Sequence, residues 1–273
     1  MIDTLRWAGP LALALVTALA VDQLTVARGL QPPGLARPIR RLLAGAVLAF
    51  VFWLGIFLAL AQIGRPVTYD LEAIETVQLF SLHALFLSAL LAWFLLGFGG
   101  GVLPGRLLPG LWARQLGWWA RRPGREVAIG LGIGLLVWPA LLLLLGLVAA
   151  ILFFTGGEEL LPTEPPPLIV WIAALPVPVR LGIALSAGLV EEAFFRGFLQ
   201  PRVGIALSTL LFVLAHLSYD QPFMLVGVTL LSLFFASLVR WRQNIWAAVT
   251  AHALFDGVQL LIVIPWALRQ WNG

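Results

Sequence analysis

Two adjacent carboxylates, Glu191 and Glu192, interrupt an apolar stretch that runs from residue 177 to residue 199. If this stretch spans a membrane, ionisable groups inside it are costly to bury and are therefore candidates for function. Neighbours on a helix point about 100° apart, so the two carboxylates face different directions and can have different roles. Glu192 precedes Arg196 by four residues, which favours an ion pair on one helix face. Glu191 has no such local partner, and its partners must come from other segments.

Three further polar groups lie in the apolar segments that follow. His216 comes four residues after Phe212. His252 precedes Asp256 by four residues, so these two side chains share one face of a helix. Each polar group needs a partner in an apolar environment. The simplest arrangement is that they partner Glu191 and one another around a hydrated cavity.

These residue types can direct water onto an amide. Glu191 and His216 can together remove a proton from water as a general base. His252 can donate a hydrogen bond to the oxyanion that forms when water adds to a carbonyl, and Asp256 can orient His252 or donate a hydrogen bond itself if protonated. Alternatively, Glu191, His216 and His252 could ligate a zinc ion that activates a bound water. The sequence does not separate these two schemes.

The composition places these groups in a membrane protein. Of the 273 residues, 61% are hydrophobic and only 11% are charged, which is typical of polytopic membrane proteins. The 17 basic residues are all arginines, and no basic patch carries the interleaved aromatic residues of a nucleic-acid surface, so we expect no nucleic-acid partner. The sequence has no cysteine, which excludes disulfides and thiolate metal sites.

Eight apolar spans of roughly 20 residues predict an all-α, polytopic bundle of about eight transmembrane helices. They cover residues 7–27, 42–63, 77–98, 127–154, 177–199, 203–219, 223–239 and 244–265. Loops 28–41 and 99–126 are rich in arginine, whereas loops 64–76 and 155–167 are acidic. This pattern predicts that the basic loops face the cytoplasm and that the N-terminus lies outside. Residues 18–20 also resemble a signal-peptidase site, but a cleaved signal would contradict that orientation.

A proline-rich linker at 162–167 divides the chain into an N-terminal four-helix region, residues 1–164, and a C-terminal region, residues 165–273, that carries the chemistry. Asp22 and His83 lie inside the first and third spans. Either could serve chemistry, but the favoured interpretation is a buried group paired with a neighbouring helix. Gly130 and Gly134 predict a close contact between helices rather than a nucleotide-binding loop.

The predicted helix ends impose one geometric condition on the site. At about 1.5 Å per residue, Glu191 lies near the cytoplasmic side and His216 nearer to the outer side. A water-activating pair must reach the same water. We therefore expect residues 197–202 to dip into the protein, so that the sixth helix begins deeper than the hydropathy pattern alone indicates.

Three motifs, taken in order, carry a family resemblance. They are Glu-Glu-x-x-x-Arg (Glu191, Glu192, Arg196), Phe-x-x-x-His (Phe212, His216) and His-x-x-x-Asp (His252, Asp256). In order and spacing they resemble the CPBP family of intramembrane proteases, which includes type II CAAX prenyl endopeptidases and bacteriocin self-immunity proteins. The resemblance covers roughly residues 165–273.

The resemblance implies a role for each motif residue. Glu191 and His216 would activate water, and His252 with Asp256 would stabilise the oxyanion. The remaining motif residues, which would shape the site, are Glu192, Arg196 and Phe212. Prenyl-protease members usually carry Asn at the position of Asp256, and an ionised Asp cannot donate a hydrogen bond. This departure weakens the prenyl-substrate interpretation and the oxyanion role of Asp256.

From these observations we expect an intramembrane endopeptidase of the cell (inner or plasma) membrane. Its partners would be the lipid bilayer and a membrane-associated or C-terminally anchored protein or peptide substrate. The sequence indicates no particular cofactor, and zinc remains an open alternative. A proton-coupled transporter is a second interpretation, which would show broken helices in two repeated halves; the sequence has no such repeat. A non-catalytic scaffold or immunity protein is a third.

Overall fold

The computed structural model describes residues 2–30, 38–63, 71, 74–98, 109–217 and 221–271, and within these residues the fold is helical, without strands. Its α-helices are α1 (Ile2–Ala27), α2 (Pro38–Phe52), α3 (Ser81–Trp93), α4 (Pro109–Gln115), α5 (Pro123–Thr155), α6 (Pro167–Ala174), α7 (Val177–Ser186), α8 (Gln200–Ala215), α9 (Pro222–Arg242), α10 (Trp246–Val258) and α11 (Ile264–Trp271). Shorter 3-10 or π-helical turns occupy Trp53–Phe57, Leu58–Gln62, Thr76–Phe80, Phe94–Phe98, Glu158–Leu160 and Gln259–Val263. The predicted all-α bundle is confirmed.

Seven continuous helical stretches of the described residues are long and apolar enough to cross a membrane, which makes this an integral membrane protein. They are Trp7–Ala27, Pro38–Ala61, Thr76–Leu96, Pro123–Thr155, Val177–Ala215, Pro222–Arg242 and Trp246–Gln270. The fifth, 39 residues long, contains two of the eight predicted spans. Gly204 separates these two spans, because its φ of 86° and ψ of 172° break the helix, a backbone conformation that glycine adopts without steric cost.

Part of the predicted loop pattern lies outside the described residues. These positions are Arg37, Arg65, Asp70, Glu72 and Arg106, together with Tyr219 at the predicted end of the sixth span. The orientation of the bundle across the membrane therefore stays a prediction.

The centre of the bundle is the π-helical segment Ala187–Leu199, which joins α7 to α8 and carries both adjacent carboxylates. All its residues except Leu189 are buried. Phe194 stacks on Phe86 of α3, with ring centroids 4.4 Å apart. Helices of the N-terminal region thus pack directly against this segment. The division of the chain near residue 164 stays a prediction.

Residues 197–202 are largely buried within the protein, and the depth at which the sixth helix begins stays a prediction. Leu199 and Arg202 are buried, whereas Pro201 is exposed. Gly197 lies so close to the backbone after α4 that an added Cβ would meet the Leu116 carbonyl oxygen at 2.5 Å. The turn after α4 therefore covers the end of the π-helical segment.

Two ion pairs join helices away from this centre. Arg41 of α2 donates from Nε to Oδ1 of Asp22 in α1 at 2.8 Å, which confirms the interpretation of Asp22 as a group paired with a neighbouring helix. Arg242 at the end of α9 donates to both carboxylate oxygens of Glu126 in α5, at 2.8 and 2.7 Å. Such two-pronged pairs fix the relative positions of the elements that they join.

The predicted close contact at Gly130 and Gly134 is confirmed, and it lies between α5 and α10. A Cβ added to Gly130 would lie 2.6 Å from the carbonyl oxygen of Ala247. One added to Gly134 would lie 3.1 Å from Cα of Ala251. The two helices therefore touch through their backbones, and any side chain at these positions must push them apart. This contact holds α10, which carries His252, against the rest of the bundle.

We expect Gly130→Ala to lower the free energy of unfolding by about 1–3 kcal/mol, because the added methyl overpacks this interface. Gly132→Ala is the matched control, since an added Cβ there meets no atom within 4 Å. We expect that change to be neutral or to stabilise the helix by up to about 1 kcal/mol. Unfolding in detergent, followed by tryptophan fluorescence, measures both. Equal stabilities of the two variants would contradict the contact.

Candidate active site

Glu191 contacts a histidine from the N-terminal region. Its Oε1 lies 3.1 Å from Nε2 of His83 in α3. Both residues are buried, with 6% of Glu191 and 8% of His83 exposed. The second oxygen of Glu191, Oε2, has no hydrogen-bond partner in the described part of the chain. One oxygen of the carboxylate is therefore anchored, and the other can serve a reacting group.

Glu192 faces a different set of partners, as the predicted helical geometry requires. Its Oε1 lies 3.3 Å from Nη1 of Arg196, the ion pair that the four-residue spacing predicted. The same oxygen lies 2.9 Å from Nδ1 of His252 in α10. Arg196 also donates from Nη2 to Oγ of Ser232 in α9 at 3.1 Å. Glu192 is fully buried. Together with Arg196 it links the π-helical segment to α9 and α10 at the centre of the bundle.

His252 lies between two carboxylates. Its Nδ1 contacts Glu192, and its Nε2 lies 3.5 Å from Oδ2 of Asp256. The second distance exceeds that of an ordinary N–H···O hydrogen bond, so Asp256 holds Nε2 only loosely. The imidazole stacks on Phe235 of α9, with ring centroids 5.0 Å apart. His252 is thus fixed at one nitrogen and by its ring face, while the Asp256 side chain remains 26% exposed.

His216 directly follows α8 and is oriented by the backbone. Its Nδ1 lies 2.7 Å from the carbonyl oxygen of Phe212. A carbonyl oxygen only accepts, so Nδ1 is the donor, and Nε2 is the acceptor of the neutral ring. The Phe212 ring lies 4.5 Å from the His216 ring, 6.3 Å from the His252 ring and 4.3 Å from Cζ of Arg196. Phe212 therefore packs against all three polar groups.

The structure brings the predicted site residues together from separate helices. Glu191 contacts His83, its neighbour Glu192 contacts His252, and the Phe212 ring lies near both His216 and His252. Sequence reasoning missed the contact between His83 and Glu191, since no spacing rule connects residues 108 positions apart. The one available signal was a histidine in an otherwise apolar span, and pairing with a neighbouring helix was the interpretation favoured for it. That pairing exists, and its partner is the central carboxylate.

The zinc alternative does not fit this arrangement. Nδ1 of His252 contacts Glu192, and Nε2, the nitrogen left for a metal, lies 3.5 Å from a carboxylate oxygen of Asp256. Within the described residues, no group of three or more His, Asp or Glu side chains lies in a metal-binding arrangement. A zinc site made of Glu191, His216 and His252 would require Nε2 of His252 to give up its contact with Asp256.

A cavity of about 450 Å³ lies between α5 and α9, away from these residues. Its lining is almost entirely apolar and contains none of the predicted site residues. The lining residues are Ile133, Leu136, Val137, Ala140, Phe234, Ser237, Leu238 and Trp241. The hydrated cavity expected around Glu191 therefore stays a prediction.

Comparisons with known proteins agree with the motifs. A family model described as "Type II CAAX prenyl endopeptidase Rce1-like" matches residues 173–258. The chain is also similar to "Uncharacterized protein YpbD" of Bacillus subtilis (strain 168), with 30% identity over 83 residues, which are 30% of this chain and 44% of that protein. The chain thus matches less than half the length of this curated relative. No solved structure matches the chain.

The matched segment contains every residue of the three motifs, whereas His83 lies outside it. The family resemblance that the motifs predicted is confirmed for residues 173–258, which match the model of the Rce1-like type II CAAX prenyl endopeptidases.

Proposed function

We propose that this protein is an intramembrane endopeptidase that hydrolyses a peptide bond of a membrane-associated or C-terminally anchored substrate with water activated by Glu191. The observation that carries this proposal is the pairing of two adjacent buried carboxylates with imidazoles from two other helices. Buried ionisable groups in a membrane protein are retained for function far more often than for stability. The match of this same segment to a family of prenyl endopeptidases supports hydrolysis as that function.

Glu191 is the general base in this scheme. Its Oε2, which has no hydrogen-bond partner within the described residues, accepts a proton from the attacking water. His216 Nε2, the acceptor nitrogen of the neutral ring, can receive a hydrogen bond from the same water, because Nδ1 is committed to the Phe212 carbonyl. The two acceptors bind both hydrogens of one water, which orients its lone pairs for attack.

The chemical step then proceeds through a tetrahedral intermediate. The water oxygen forms a bond to the carbonyl carbon, its proton passes to Glu191, and the carbonyl π electrons move to the oxygen. Nε2 of His252, held only loosely by Asp256, donates a hydrogen bond to this oxyanion. The C–N bond breaks as the oxyanion collapses, and Glu191 returns the proton to the departing amine.

Glu192 and Arg196 position this apparatus. Glu192 accepts a hydrogen bond from Nδ1 of His252, which leaves the opposite nitrogen, Nε2, as the donor to the oxyanion. Arg196 balances the Glu192 charge and is held by Ser232. We assign these two residues to orientation of His252 rather than to proton transfer.

We further propose that the enzyme resides in the cell (inner or plasma) membrane. Its substrate is a protein or peptide that presents a peptide bond at the depth of Glu191. Prenylation of the substrate is not part of this proposal, because an ionised Asp256 lacks the donor that an Asn at that position would provide.

An unbiased comparison of cleavage products tests the proposed activity. The wild-type chain and Glu191→Gln are expressed separately in a bacterial host, and new N- and C-termini of membrane proteins are mapped by mass spectrometry. We expect termini that occur only with the wild-type chain, and the corresponding synthetic peptides should be cleaved by the purified enzyme in liposomes. Identical termini in the two strains would count against the proposal.

Chelation tests the assignment of Glu191 as base against a zinc mechanism. We expect treatment with a strong chelator to leave the cleavage rate unchanged, since no group of three or more His, Asp or Glu side chains in the described part of the chain is arranged to hold a metal ion. We also expect elemental analysis of the purified protein to find far less than one zinc per chain. Loss of activity on chelation, with recovery on addition of zinc, would overturn the assignment and restore the metal scheme.

A further inference from the structure

We infer that His83 is a positioning residue of this site: it fixes Oε1 of Glu191, so that Oε2 is directed at the reacting water. The inference rests on the proposed function, and it extends the active site beyond the segment that matches the Rce1-like family. It also implies that the N-terminal helices are part of the catalytic machinery rather than a separate membrane anchor.

The contact pattern of His83 points to Glu191 alone. Nε2 lies 3.1 Å from Oε1 of Glu191, whereas Nδ1 is buried without a hydrogen-bond partner in the described part of the chain. A histidine that served only to join helices would satisfy both nitrogens or expose one to solvent. Here the only described polar contact of a buried imidazole is the carboxylate of the proposed base.

The anchoring of Oε1 matters because the orientation of the carboxylate is the least restricted part of a Glu side chain. The terminal torsion of Glu has a broad, roughly two-fold distribution. The oxygens of a carboxylate without this contact would therefore take many orientations. A hydrogen bond from Nε2 of His83 to Oε1 selects one orientation and thereby sets the direction of Oε2. Proton transfer from water depends steeply on this direction.

Aromatic packing around α3 fixes the position of His83. Phe86, three residues later on α3, stacks on Phe194 at 4.4 Å and meets Phe195 edge-on at 5.2 Å. Phe80, one turn before, lies 6.5 Å from the imidazole. Phe86 thus couples α3 to the π-helical segment, and Phe80 packs against the imidazole from the preceding turn. His83 therefore approaches Glu191 from a rigid element.

A pair of amide substitutions separates positioning from bulk packing. The side-chain nitrogen of Gln occupies the position of histidine Nε2, and that of Asn occupies the position of Nδ1. His83→Gln therefore keeps the donor that contacts Glu191, whereas His83→Asn keeps only the nitrogen that has no described partner. Both replacements are neutral amides, so we expect the cost of burying them at this site to be similar. Ser88→Ala, on the exposed face of the same helix, is the control for α3 itself.

The experiment measures kcat and KM of the full-length chain in liposomes, on a peptide that the wild-type chain cleaves. We expect His83→Asn to lower kcat by about 10- to 100-fold, with KM changed less than about threefold, because orientation rather than binding is lost. His83→Gln should recover at least about fivefold in kcat over His83→Asn. Ser88→Ala should match the wild type.

The outcomes for His83 and for the proposed function are distinguishable. Equal kcat of His83→Gln and His83→Asn would overturn the positioning role, even if both variants are slower than the wild type. Wild-type kcat in both variants, with Glu191→Gln inactive, would also overturn it and leave the proposed function standing. Cleavage by Glu191→Gln at the wild-type rate would instead refute the proposed function itself.

Discussion

Glu191→Gln is expected to lower the rate of peptide cleavage by at least about 10²–10⁴-fold while the protein still folds and inserts into the membrane. The amide has nearly the same shape as the carboxylate and can still contact His83, but it cannot accept a proton from water. Because one oxygen of Glu191 is anchored and the other is unpartnered within the described residues, loss of the base is the main consequence of the change.

Glu159→Gln is the matched control for this prediction. Glu159 is exposed in the turn after α5, outside the central cluster. We expect it to cleave at the wild-type rate. The thermal stability of Glu191→Gln should stay close to that of the wild type, which separates lost chemistry from lost structure. Cleavage by Glu191→Gln at the wild-type rate would show that Glu191 is not the general base.

Glu192→Ala is expected to lower the free energy of unfolding by about 3–5 kcal/mol and to abolish cleavage as well. The change leaves Arg196 buried without its carboxylate and removes the acceptor for Nδ1 of His252. An uncompensated buried charge costs far more than the intact pair contributes. Both stability and activity therefore fall together, in contrast to Glu191→Gln.

Two comparisons sharpen the prediction for Glu192. Glu158→Ala removes an exposed carboxylate and should change neither quantity. Glu192→Leu combined with Arg196→Leu removes both charges, and it should recover part of the stability lost in Glu192→Ala but none of the activity. Unfolding in detergent, followed by tryptophan fluorescence, measures the stabilities. Wild-type stability of Glu192→Ala would show that Arg196 does not depend on this pair.

The sequence predicted the helices well because membrane helices are set by hydropathy, a local property. Each apolar span corresponds to helix in the described residues, and Gly204 accounts for the boundary between the fifth and sixth spans. The π-helical form of Ala187–Leu199 was not predicted, because the choice between π- and α-helical hydrogen bonding depends on tertiary packing. The backbone contact at Gly197 with Leu116 is an example of that packing.

The contacts of the site show the same difference between local sequence patterns and tertiary packing. The pairs Glu192–Arg196 and His252–Asp256 follow from four-residue spacing within one helix, and both are present. The contacts of Glu191 with His83 and of Glu192 with His252 join different helices. Pairing between helices depends on how the bundle assembles, which a single sequence does not encode in any spacing. From the sequence, only the cost of burying a polar group in a membrane span indicated that each would have a partner.

Glu191 and His216 come from different helical segments, and the proposed mechanism requires that they act on one water. A double-mutant cycle on kcat with Glu191→Gln and His216→Ala measures whether they do, because groups that act as a unit lose their effect once the other is gone. We predict that the double variant is no slower than the slower single variant. Losses that multiply in the double variant would show that the two residues act independently and would contradict the account.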